Sequence, residues 1–371
     1  MTKTLHIVSF NIPYPADYGG VIDVFYKIKA LKESGAEIIL HCFEYGRKSS
    51  DKLNELCKEV HYYKRPKNFH YAFKNIPFIV ATRNSSRLKE NLLKDNFPIL
   101  FEGLHSTLLL PELNSNNRRL VVRTHNIEHE YYEGLACAET KYFKKIFFNS
   151  ESKKLKKYES VLVNASHIAA ISPADQQYFN SKYGHSTLIP AFHPYKTVDI
   201  KEGHGEYVLF HGDLSVSDNV KSVLFLINDV FASLNIPFVI AGKNPDKKIL
   251  EAAKLLQNLK IIANPDDEEM NNLLSNAQIN ILTTYQNSGI KLKLLAALYR
   301  GRHCLVNKNM IENTGLENLC VVSITGLEFQ NQVKELFNIS FDMGEISRRK
   351  LILEDVFSTK KNAIKLLEII F

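Results

Sequence analysis

Short apolar runs separated by longer amphipathic stretches restrict the fold of this chain more than any other sequence feature. The first series of runs, rich in Val, Ile and Leu, lies at 5–10, 37–43, 99–102, 120–123, 167–171 and 187–190. The second series lies at 207–212, 238–242, 259–262, 279–283, 303–306 and 320–324. Such alternation predicts strands joined by crossover helices, and therefore an α/β fold with parallel sheets buried on both faces.

A polar segment with Pro and Gly residues, 192–205, separates the two series and is typical of an interdomain linker. The chain, at 371 residues, is too long for one ordinary core and suits two α/β domains. We therefore expect an N-terminal domain over 1–192 and a C-terminal domain over 206–356. Because doubly wound sheets bind ligands beyond the carboxyl ends of their strands, we expect the two sheets to face each other across a cleft.

Composition and cysteine spacing argue against several classes of protein. The first apolar run is too short for a signal peptide, and no window has the roughly 18 uncharged apolar residues of a membrane span. The five cysteines are widely spaced and include no C-x-x-C pair, which argues against a disulfide framework or a zinc ribbon. We expect a cytoplasmic protein.

The first candidate ligand-binding segment is Pro13-Tyr14-Pro15-Ala16-Asp17-Tyr18-Gly19-Gly20, between the first predicted strand and a helical pattern. Paired glycines let a ligand approach the backbone, and the amides at a helix start favour an anion. The segment lacks the G-x-G-x-x-G pattern, so a simple tight turn remains the alternative.

The second candidate is Arg123-Thr124-His125-Asn126-Ile127-Glu128-His129, which follows the apolar run at 120–123. Residues 125–129 match H-x-x-E-H, a zinc-hydrolase pattern that requires both histidines on one helix. His125, however, falls at the end of a predicted strand, where an imidazole is better suited to contact a substrate hydroxyl or phosphate. A polar loop without function is the remaining alternative.

The third candidate is Ser288-Gly289-Ile290-Lys291-Leu292-Lys293, which follows a predicted strand and opens a helix. Amides at a helix start and a lysine side chain would both stabilise a diphosphate. Glycine also ends predicted strands at Gly212 and Gly242, the latter followed by Lys243. Several such strand ends in one domain indicate a nucleotide pocket, although a simple amphipathic helix and βα turns are alternatives.

Together these segments resemble the GT-B glycosyltransferases, and specifically the retaining family-4 group. The matching segments, in the order of the family, are Gly19-Gly20, 123–129, Ile171-Ser172-Pro173-Ala174-Asp175, 210–214, 241–243 and the stretch from Gly289. The resemblance implies two Rossmann-like domains, the first for the acceptor and the second for a nucleotide sugar. It also implies that the last helix, within 357–371, crosses back to the N-terminal domain.

By this resemblance the protein is a metal-independent glycosyltransferase that moves a hexosyl unit from a UDP- or GDP-linked sugar to a glycan or lipid-linked acceptor. The resemblance implies retention of configuration and a role in surface polysaccharide or glycoconjugate synthesis. His125 is the expected catalytic residue, beside the transferred sugar. The expected donor-binding residues are Gly19, Gly20, Gly212, Lys221, Lys243, Gly289, Ile290, Lys291 and Lys293. The expected acceptor-side residues are Glu102, His105, Arg123 and Asn126.

The sequence departs from the family pattern on the donor side. The two glutamates of the family's E-x7-E motif are replaced by Ser288 and Ala296. Asp213 stands where the family has an arginine, and Asn219 or Lys221 lies near a conserved lysine position. These differences favour, as an alternative, a degenerate GT-B protein that binds a glycan or a partner without catalysis; a zinc hydrolase is a third hypothesis.

The positive charge of the chain, a net +7, lies entirely before residue 190. Segments 61–74 and 141–148 interleave lysines and arginines with aromatic residues, and segment 153–157 adds four more lysines. Such a surface suits peripheral contact with an anionic membrane, although a solvated charged face is the alternative. Nothing resembles an RNA-binding module or a basic zipper, so we expect no nucleic-acid partner.

Overall fold

The computed structural model describes residues 3–66, 68–114, 118–139, 141–286 and 291–371. The chain divides into two compact units. Unit 1 comprises Met1–Pro194 together with Phe357–Phe371, and unit 2 comprises Tyr195–Val356. Within the described ranges, no helix is long and apolar enough to cross a membrane.

Unit 1 contains a seven-stranded parallel sheet with the order β3-β2-β1-β4-β5-β6-β7. Its strands are β1 (Lys3–Ser9), β2 (Ala36–Glu44), β3 (Glu59–Lys64), β4 (Ile99–Glu102), β5 (Leu120–Arg123), β6 (His167–Ala170) and β7 (Ser186–Leu188). The order reverses direction between β1 and β4. At such a switch point the carboxyl ends of neighbouring strands open a crevice.

Helices cover both faces of this sheet. They are α1 (Gly19–Glu33), α2 (Asp51–Leu56), α3 (Phe78–Ala81), α4 (Ser86–Leu92), α5 (Leu110–Leu113), α6 (Glu128–Ala138), α7 (Tyr142–Tyr158) and α8 (Pro173–Tyr183). Shorter 3-10 helices lie at Phe69–Phe73, Leu104–Leu109 and Glu159–Asn164.

The last helix of the chain, α16 (Thr359–Ile370), belongs to unit 1. Its buried residues Ala363, Leu366, Leu367 and Ile370 join the same core cluster as the apolar face of α1. Lys365 Nζ also donates to the Leu188 carbonyl oxygen at 3.0 Å. The chain therefore leaves unit 1 after Pro194 and returns to it for its final helix.

Strand β3, which pairs with β2, is not among the strands that apolar periodicity predicts. The sequence of β3, Glu-Val-His-Tyr-Tyr-Lys, overlaps the basic and aromatic segment 61–74, for which a surface position is expected. One face of it is nevertheless partly buried, because the ring of His61 stacks on that of His41 with centroids 5.1 Å apart. Since β3 lies at the edge of the sheet, it needs no continuous apolar run.

Unit 2 contains a six-stranded parallel sheet with the order β10-β9-β8-β11-β12-β13. Its strands are β8 (Tyr207–Asp213), β9 (Phe238–Lys243), β10 (Leu259–Ala263), β11 (Ala277–Leu282), β12 (His303–Val306) and β13 (Val321–Val322). All six coincide with the second predicted series of apolar runs. The order here reverses between β8 and β11, which places a second switch point beyond the end of β8.

The helices of unit 2 complete the α/β pattern. They are α9 (Ser217–Phe225), α10 (Lys247–Ala253), α11 (Asp267–Asn276), α12 (Leu292–Arg300), α13 (Lys308–Ile311), α14 (Gly326–Phe337) and α15 (Met343–Val356). A π-helical turn, Leu226–Val230, and two 3-10 turns, Phe231–Ser233 and Glu317–Leu319, join them. Helix α14 starts with a capping box between Thr325 and Glu328, which fixes its first turn.

Gly242 brings strands β8 and β9 close together at their carboxyl ends. A Cβ atom at Gly242 would lie 1.7 Å from the Gly212 carbonyl oxygen, so no other residue fits there without movement of the backbone. Glycine at 242 is therefore required by close strand packing at the edge where a ligand is expected.

Candidate functional site

A buried cluster of charges lies at the carboxyl edge of the unit 1 sheet. Asp23 and Lys27 come from α1, Glu102 ends β4, and Arg123 ends β5. Each of the four side chains is at most 1% exposed. The two carboxylates and the two cations balance each other, as buried charges must.

Lys27 joins the two carboxylates of this cluster. Its Nζ atom donates to Asp23 Oδ2 at 2.8 Å and to both Glu102 oxygens at 2.7 Å. Asp23 in turn accepts from Arg123, from Nη2 at 3.1 Å and from Nε at 3.4 Å, and from the Phe192 amide at 2.8 Å. The cluster thus ties α1, β4 and β5 together.

These neighbours keep both carboxylates ionised. Burial alone would raise the pKa of Asp23, but the charges of Arg123 and Lys27 outweigh it and hold that pKa well below the ordinary value. Burial likewise opposes ionisation of Glu102, whose pKa is nevertheless lowered by Lys27 and by the hydrogen bond with His125. Removal of either cation would leave an uncompensated buried anion.

His125 lies on the exposed side of this cluster. Its Nε2 atom is 3.0 Å from Glu102 Oε2, and its Nδ1 atom is 3.8 Å from Asp23 Oδ2, while its side chain is 10% exposed. The Phe10 ring meets the His125 ring edge-on with centroids 5.5 Å apart. The imidazole is therefore held in one orientation, with the tautomer that donates from Nε2 favoured by Glu102.

His105 packs against the same phenylalanine. Its ring centroid is 5.3 Å from that of Phe10, and its Nδ1 atom is 3.8 Å from Glu128 Oε1. Burial, reinforced by the charge of Arg83, lowers the pKa of His105 well below its ordinary value. Gly103, with φ of +70°, permits this approach, because a Cβ there would lie 2.9 Å from His105 Nδ1.

The geometry of residues 125–129 does not gather the ligands of the zinc hypothesis. His125 precedes α6, which begins at Glu128, while His129 Nδ1 lies 3.3 Å from Glu159 Oε2. Over the described ranges, Asp23, Glu102 and His125 are the one group whose potential ligand atoms lie within 4.8 Å of one another. The Lys27 ammonium group already occupies the space between those carboxylates, and a divalent cation would have to displace it.

The remaining sites predicted for unit 1 occupy different environments. Arg123 is fully buried, and besides Asp23 it donates to the carbonyl oxygens of Ala170, Ile189 and Pro190. Asn126 is partly exposed in the bend before α6. Gly19 and Gly20 form the first turn of α1, where no side chain caps the helix. An acceptor contact by Arg123 and Asn126 stays a prediction.

Two of the predicted donor residues of unit 2, Gly212 and Lys293, come together at its switch point. The Nζ atom of Lys293, from the first turn of α12, donates to Asn219 Oδ1 at 2.8 Å and to the Thr283 carbonyl oxygen at 3.3 Å. Asn219 Nδ2 donates to the Asp213 carbonyl oxygen at 2.8 Å, at the end of β8. Lys293 thus reaches the point between β8 and β11, next to Gly212, whose Cβ position lies 3.1 Å from Asn219 Nδ2.

No carboxylate lies within 4 Å of Lys293 Nζ in the part of the chain that the structure describes. Burial lowers the pKa of Lys293 to about 8, although the charge of Asp218 opposes that shift. Asp218 is itself engaged by Thr284 Oγ1 and by the Tyr285 amide, each at 2.8 Å. An anion beside Lys293 would restore its full positive charge.

Two other predicted lysines lie at the same edge. Lys221, on α9, places its Nζ atom 3.7 Å from the centroid of the Tyr285 ring. Lys243 ends β9, where its carbonyl oxygen accepts from the Leu214 amide at 2.8 Å. Lys291 directly precedes α12, while Ser288, Gly289 and Ile290 lie outside the described residues.

Sequence reasoning missed Asp23, Lys27 and Asn219 as site residues. A usable signal existed in α1, where Lys27 falls on the same helical stripe as Val24, Ile28 and Leu31. A charged residue in such a stripe indicates a buried partner. The role of Asn219 had no comparable signal, because its contact with Lys293 joins residues 74 positions apart.

Comparison with known proteins places this geometry in a wider context. No protein-family profile matches the chain. A Klebsiella pneumoniae protein, described as "Uncharacterized 44.6 kDa protein in cps region", is 29% identical over an alignment of 314 residues, and the match covers 79% of each chain.

Similarity to solved structures extends over the whole chain. WaaG, a glycosyltransferase involved in lipopolysaccharide biosynthesis, matches with a TM-score of 0.66 and 14% identity over 99% of both chains. Anabaena HepE, solved in complex with UDP and glucose, matches with 0.65 and 11% over 99% of both. Arabidopsis thaliana UGT89C1, solved with UDP-L-rhamnose, matches with 0.59 and 12% over 100% of both. These likenesses confirm the predicted GT-B fold with two Rossmann-like units; the retaining family-4 group stays a prediction.

Proposed function

We propose that this GT-B protein is a glycosyltransferase that moves a hexosyl unit from a UDP- or GDP-linked sugar to a hydroxyl group of a glycan or lipid-linked acceptor. The observation that carries the proposal is Lys293, a cation without a carboxylate partner at the switch point of the unit 2 sheet. A nucleoside diphosphate supplies the anion that this position lacks. Support also comes from HepE and UGT89C1, which were solved with UDP or a UDP-sugar.

In this proposal unit 2 holds the nucleotide sugar. Lys293 stabilises the diphosphate as it leaves, with Lys221, Lys243 and Lys291 as further cations at the same edge. Fixed positive groups that face developing negative charge are the usual means by which an enzyme lowers the barrier of such a transfer. Asn219 lies near the position at which the family has a lysine. In this proposal Lys293 substitutes for that lysine, because its Nζ atom contacts Asn219.

Unit 1 binds the acceptor in this proposal, and His125 contributes to the transfer. Glu102 orients the imidazole through Nε2, and the cluster of Asp23, Lys27 and Arg123 holds that carboxylate in place. A rigidly held imidazole at a strand end can contact a sugar hydroxyl without a loss of side-chain entropy on binding. We infer a role in surface polysaccharide or glycoconjugate synthesis, which the function of WaaG supports by analogy.

Nucleotide binding is tested first. Thermal shifts with UDP, GDP, ADP and CMP identify the donor nucleotide, since a ligand at 100 times its Kd adds about 2.7 kcal/mol of stability. Lys293→Met should weaken binding of the identified nucleotide by about tenfold or more. Lys254→Met is the matched control, because Lys254 is an exposed lysine of the same unit. The donor site is refuted if no nucleotide shifts the unfolding temperature.

Catalysis is tested separately with His125→Ala. We expect this variant to lose most of the transfer from the identified nucleotide sugar and to keep nucleotide binding, because His125 belongs to unit 1. Normal turnover by the variant removes the role given to His125.

A binding protein without catalysis is the second candidate function, favoured by one observation. Ala296, at a position where the family carries a glutamate, is buried in α12 and offers no acceptor for a ribose hydroxyl. Nucleotide binding without transfer from any of a panel of radiolabelled UDP- and GDP-sugars to a membrane extract would favour this alternative.

We also propose peripheral attachment to an anionic membrane through the start of α7. Tyr142, Phe143 and Ile146 are 72%, 85% and 48% exposed, and the neighbouring lysines 141, 144 and 145 are exposed as well. Exposed aromatic side chains flanked by cations fit the headgroup layer of an anionic bilayer, where each lysine contributes about 1 kcal/mol.

Liposome flotation tests this attachment. The wild type should float with vesicles that contain phosphatidylglycerol and remain in solution with pure phosphatidylcholine. Phe143→Ser should reduce flotation, whereas Leu351→Ser, which removes a 78% exposed leucine of unit 2, should not. Equal flotation of both variants and the wild type would contradict the proposed contact.

A further inference from the structure

Two arginines of unit 1, Arg65 and Arg83, lie near the predicted acceptor residues without a neutralising carboxylate. Within the described residues, no acidic side chain comes within 4 Å of either guanidinium group. Arg83 is 5% exposed, and Arg65 is partly buried. Two unneutralised cations in one partly desolvated region are costly unless an anion joins them.

The position of Arg83 connects this pair to the edge that carries His125. Arg83 Nε donates to the Phe10 carbonyl oxygen at 2.8 Å, and Nη1 donates to the Ile79 carbonyl oxygen. The ring of Phe10 in turn packs against His105 and His125. Arg83 also depresses the pKa of His105 through its charge, second only to burial.

Arg65 is held beside Arg83 by the intervening helix end. Its Nε atom donates to Thr82 Oγ1 at 2.9 Å, and its guanidinium group lies 4.1 Å from the centroid of the Tyr45 ring. Burial lowers the pKa of Arg83 to about 9, and the charge of Arg65 lowers it further than any other neighbour does. The two cations are thus close enough to repel each other.

The free nitrogens of the pair are available to a ligand. Within the described ranges, no protein acceptor binds Arg83 Nη2, and the Tyr45 hydroxyl is the hydrogen-bond partner of the terminal nitrogens of Arg65. None of these nitrogen atoms is both inaccessible to solvent and without a hydrogen-bond partner. Arg349 provides the contrast: its Nη1 and Nη2 atoms both donate to carbonyl oxygens, so it is a structural arginine.

Glu128 does not neutralise the pair. Its side chain is 4% exposed, and among the residues that the structure describes its Oε1 atom has no hydrogen-bond partner and it forms no ion pair with Arg83. Burial raises the pKa of Glu128 to about 8 although the charge of Arg83 opposes that shift. At neutral pH the carboxyl group is therefore mostly protonated and leaves both positive charges available.

From this geometry we propose that Arg65 and Arg83 bind a phosphoryl group carried by the acceptor. The assignment of that group to the acceptor rests on the proposed function. The anion site itself is formed by residues of unit 1 alone. A phosphoryl group offers several acceptor oxygens and close to two negative charges, which match two guanidinium groups that have no carboxylate within 4 Å among the described residues. The substrate class is accordingly a phosphorylated glycan or a lipid-linked phosphate.

The test uses inorganic phosphate as the probe, measured by calorimetry on the full chain. Arg65→Gln should weaken phosphate binding about tenfold, because it removes one charge-assisted contact. Arg87→Gln is the matched control, since Arg87 is an exposed arginine on α4 of the same unit, and it should bind phosphate like the wild type. Measurement in a Lys293→Met background weakens the proposed donor site, and phosphate bound by the other lysines of unit 2 contributes equally to Arg65→Gln and to Arg87→Gln.

Two further variants guard against misfolding and against a purely structural role. Arg83→Lys keeps the charge and should bind phosphate more weakly without unfolding. Glu128→Gln should leave phosphate affinity unchanged at pH 7 and should lessen the decline of affinity between pH 7 and pH 9, because the lowered pKa of Arg83 accounts for the rest of that decline. Equal phosphate affinity in wild type, Arg65→Gln and Arg83→Lys would overturn the proposal.

Two further measurements identify the source of the phosphate and separate this proposal from the preceding one. Vesicle binding is measured in a Phe143→Ser background, which weakens the proposed α7 contact. There, loss of binding to phosphatidylglycerol vesicles on Arg65→Gln would assign the site to a lipid headgroup, and unchanged binding would assign it to a glycan phosphate. UDP binding is measured separately on the wild-type protein, which keeps Lys293. Phosphate binding without UDP binding would refute the glycosyltransferase proposal and support the anion site. UDP binding without phosphate binding would refute the anion site alone.

Discussion

The buried charges around Lys27 provide the sharpest test of how unit 1 is held together. Lys27→Met removes the ammonium group that contacts Asp23 at 2.8 Å and Glu102 at 2.7 Å, while both carboxylates stay fully buried. Because one partner of a buried ion pair is lost, we expect a destabilisation of about 3–5 kcal/mol. For a unit of this size, that loss lowers the unfolding temperature by roughly 6–20 °C.

The pH dependence of this loss identifies its cause. In the variant, burial continues to oppose ionisation of Glu102, but the strongest neighbour that lowered its pKa is gone. The pKa in the folded state then exceeds that of the unfolded chain, so folded protein binds the extra proton and gains stability as the pH falls. The deficit of Lys27→Met should therefore be smaller at pH 5 than at pH 8.

Thermal and urea unfolding of four proteins complete the experiment. Lys29→Met, on the same helix but outside the cluster, is the control and should resemble the wild type. Lys27→Met/Glu102→Gln restores neutrality and should recover about 2 kcal/mol relative to Lys27→Met. A deficit below about 1 kcal/mol, or one that is equal at pH 5 and pH 8, would refute the account of the cluster as a mutually dependent set of charges.

Three further predictions follow from described geometry. Burial lowers the pKa of His6 and of His41, so unit 1 should be fully stable above pH 6.5. As the pH falls below 6.5, its free energy of unfolding should decrease by up to about 1.4 kcal/mol per pH unit for each histidine. His41→Gln should flatten this slope in thermal scans, and an unchanged slope would contradict the prediction. UDP affinity should fall as the pH rises from 7 to 9 through the pKa of Lys293, about 8, and titration calorimetry should find no such decline in Lys293→Met. Gly242→Ala should abolish folding of unit 2, because the alanine Cβ would overlap the Gly212 carbonyl oxygen. Gly344→Ala, in the exposed first turn of α15, is the control and should be tolerated. If circular dichroism shows that the Gly242→Ala protein is folded, the close approach of the two strands does not require glycine.

Apolar periodicity was sufficient to predict the architecture, and its failure at one strand has a physical cause. Central parallel strands are buried on both faces, so they appear in the sequence as continuous apolar runs such as Phe238–Ala241. Strand β3 lies at an edge, is only partly buried and packs through His61 and Tyr63. Its composition is therefore that of a polar surface segment, and the sequence alone does not distinguish the two.

The candidate site was predictable where it depends on strand ends and unpredictable where it depends on tertiary pairing. His125 and Lys293 follow apolar runs, and their placement beyond the sheets follows from parallel topology. Asp23 and Lys27 have the i, i+4 spacing of an ordinary surface ion pair, and only the packing of α1 against β4 shows that Glu102 makes them a buried unit. The neutrality of Glu128 likewise results from burial, which local sequence does not encode.

The return of α16 to unit 1 makes unit 2 an insertion within another folding unit. During synthesis the strands of unit 1 leave the ribosome first, but Ala363, Leu366, Leu367 and Ile370, which cover α1, emerge only after the whole of unit 2. Until then the apolar face of α1 is exposed on the nascent chain, which makes it a natural recognition site for chaperones. The inserted unit can fold during this interval, because its core needs no residue from outside Tyr195–Val356. The inner unit can therefore complete its core before the outer unit does, although the first residues of the outer unit are translated earlier.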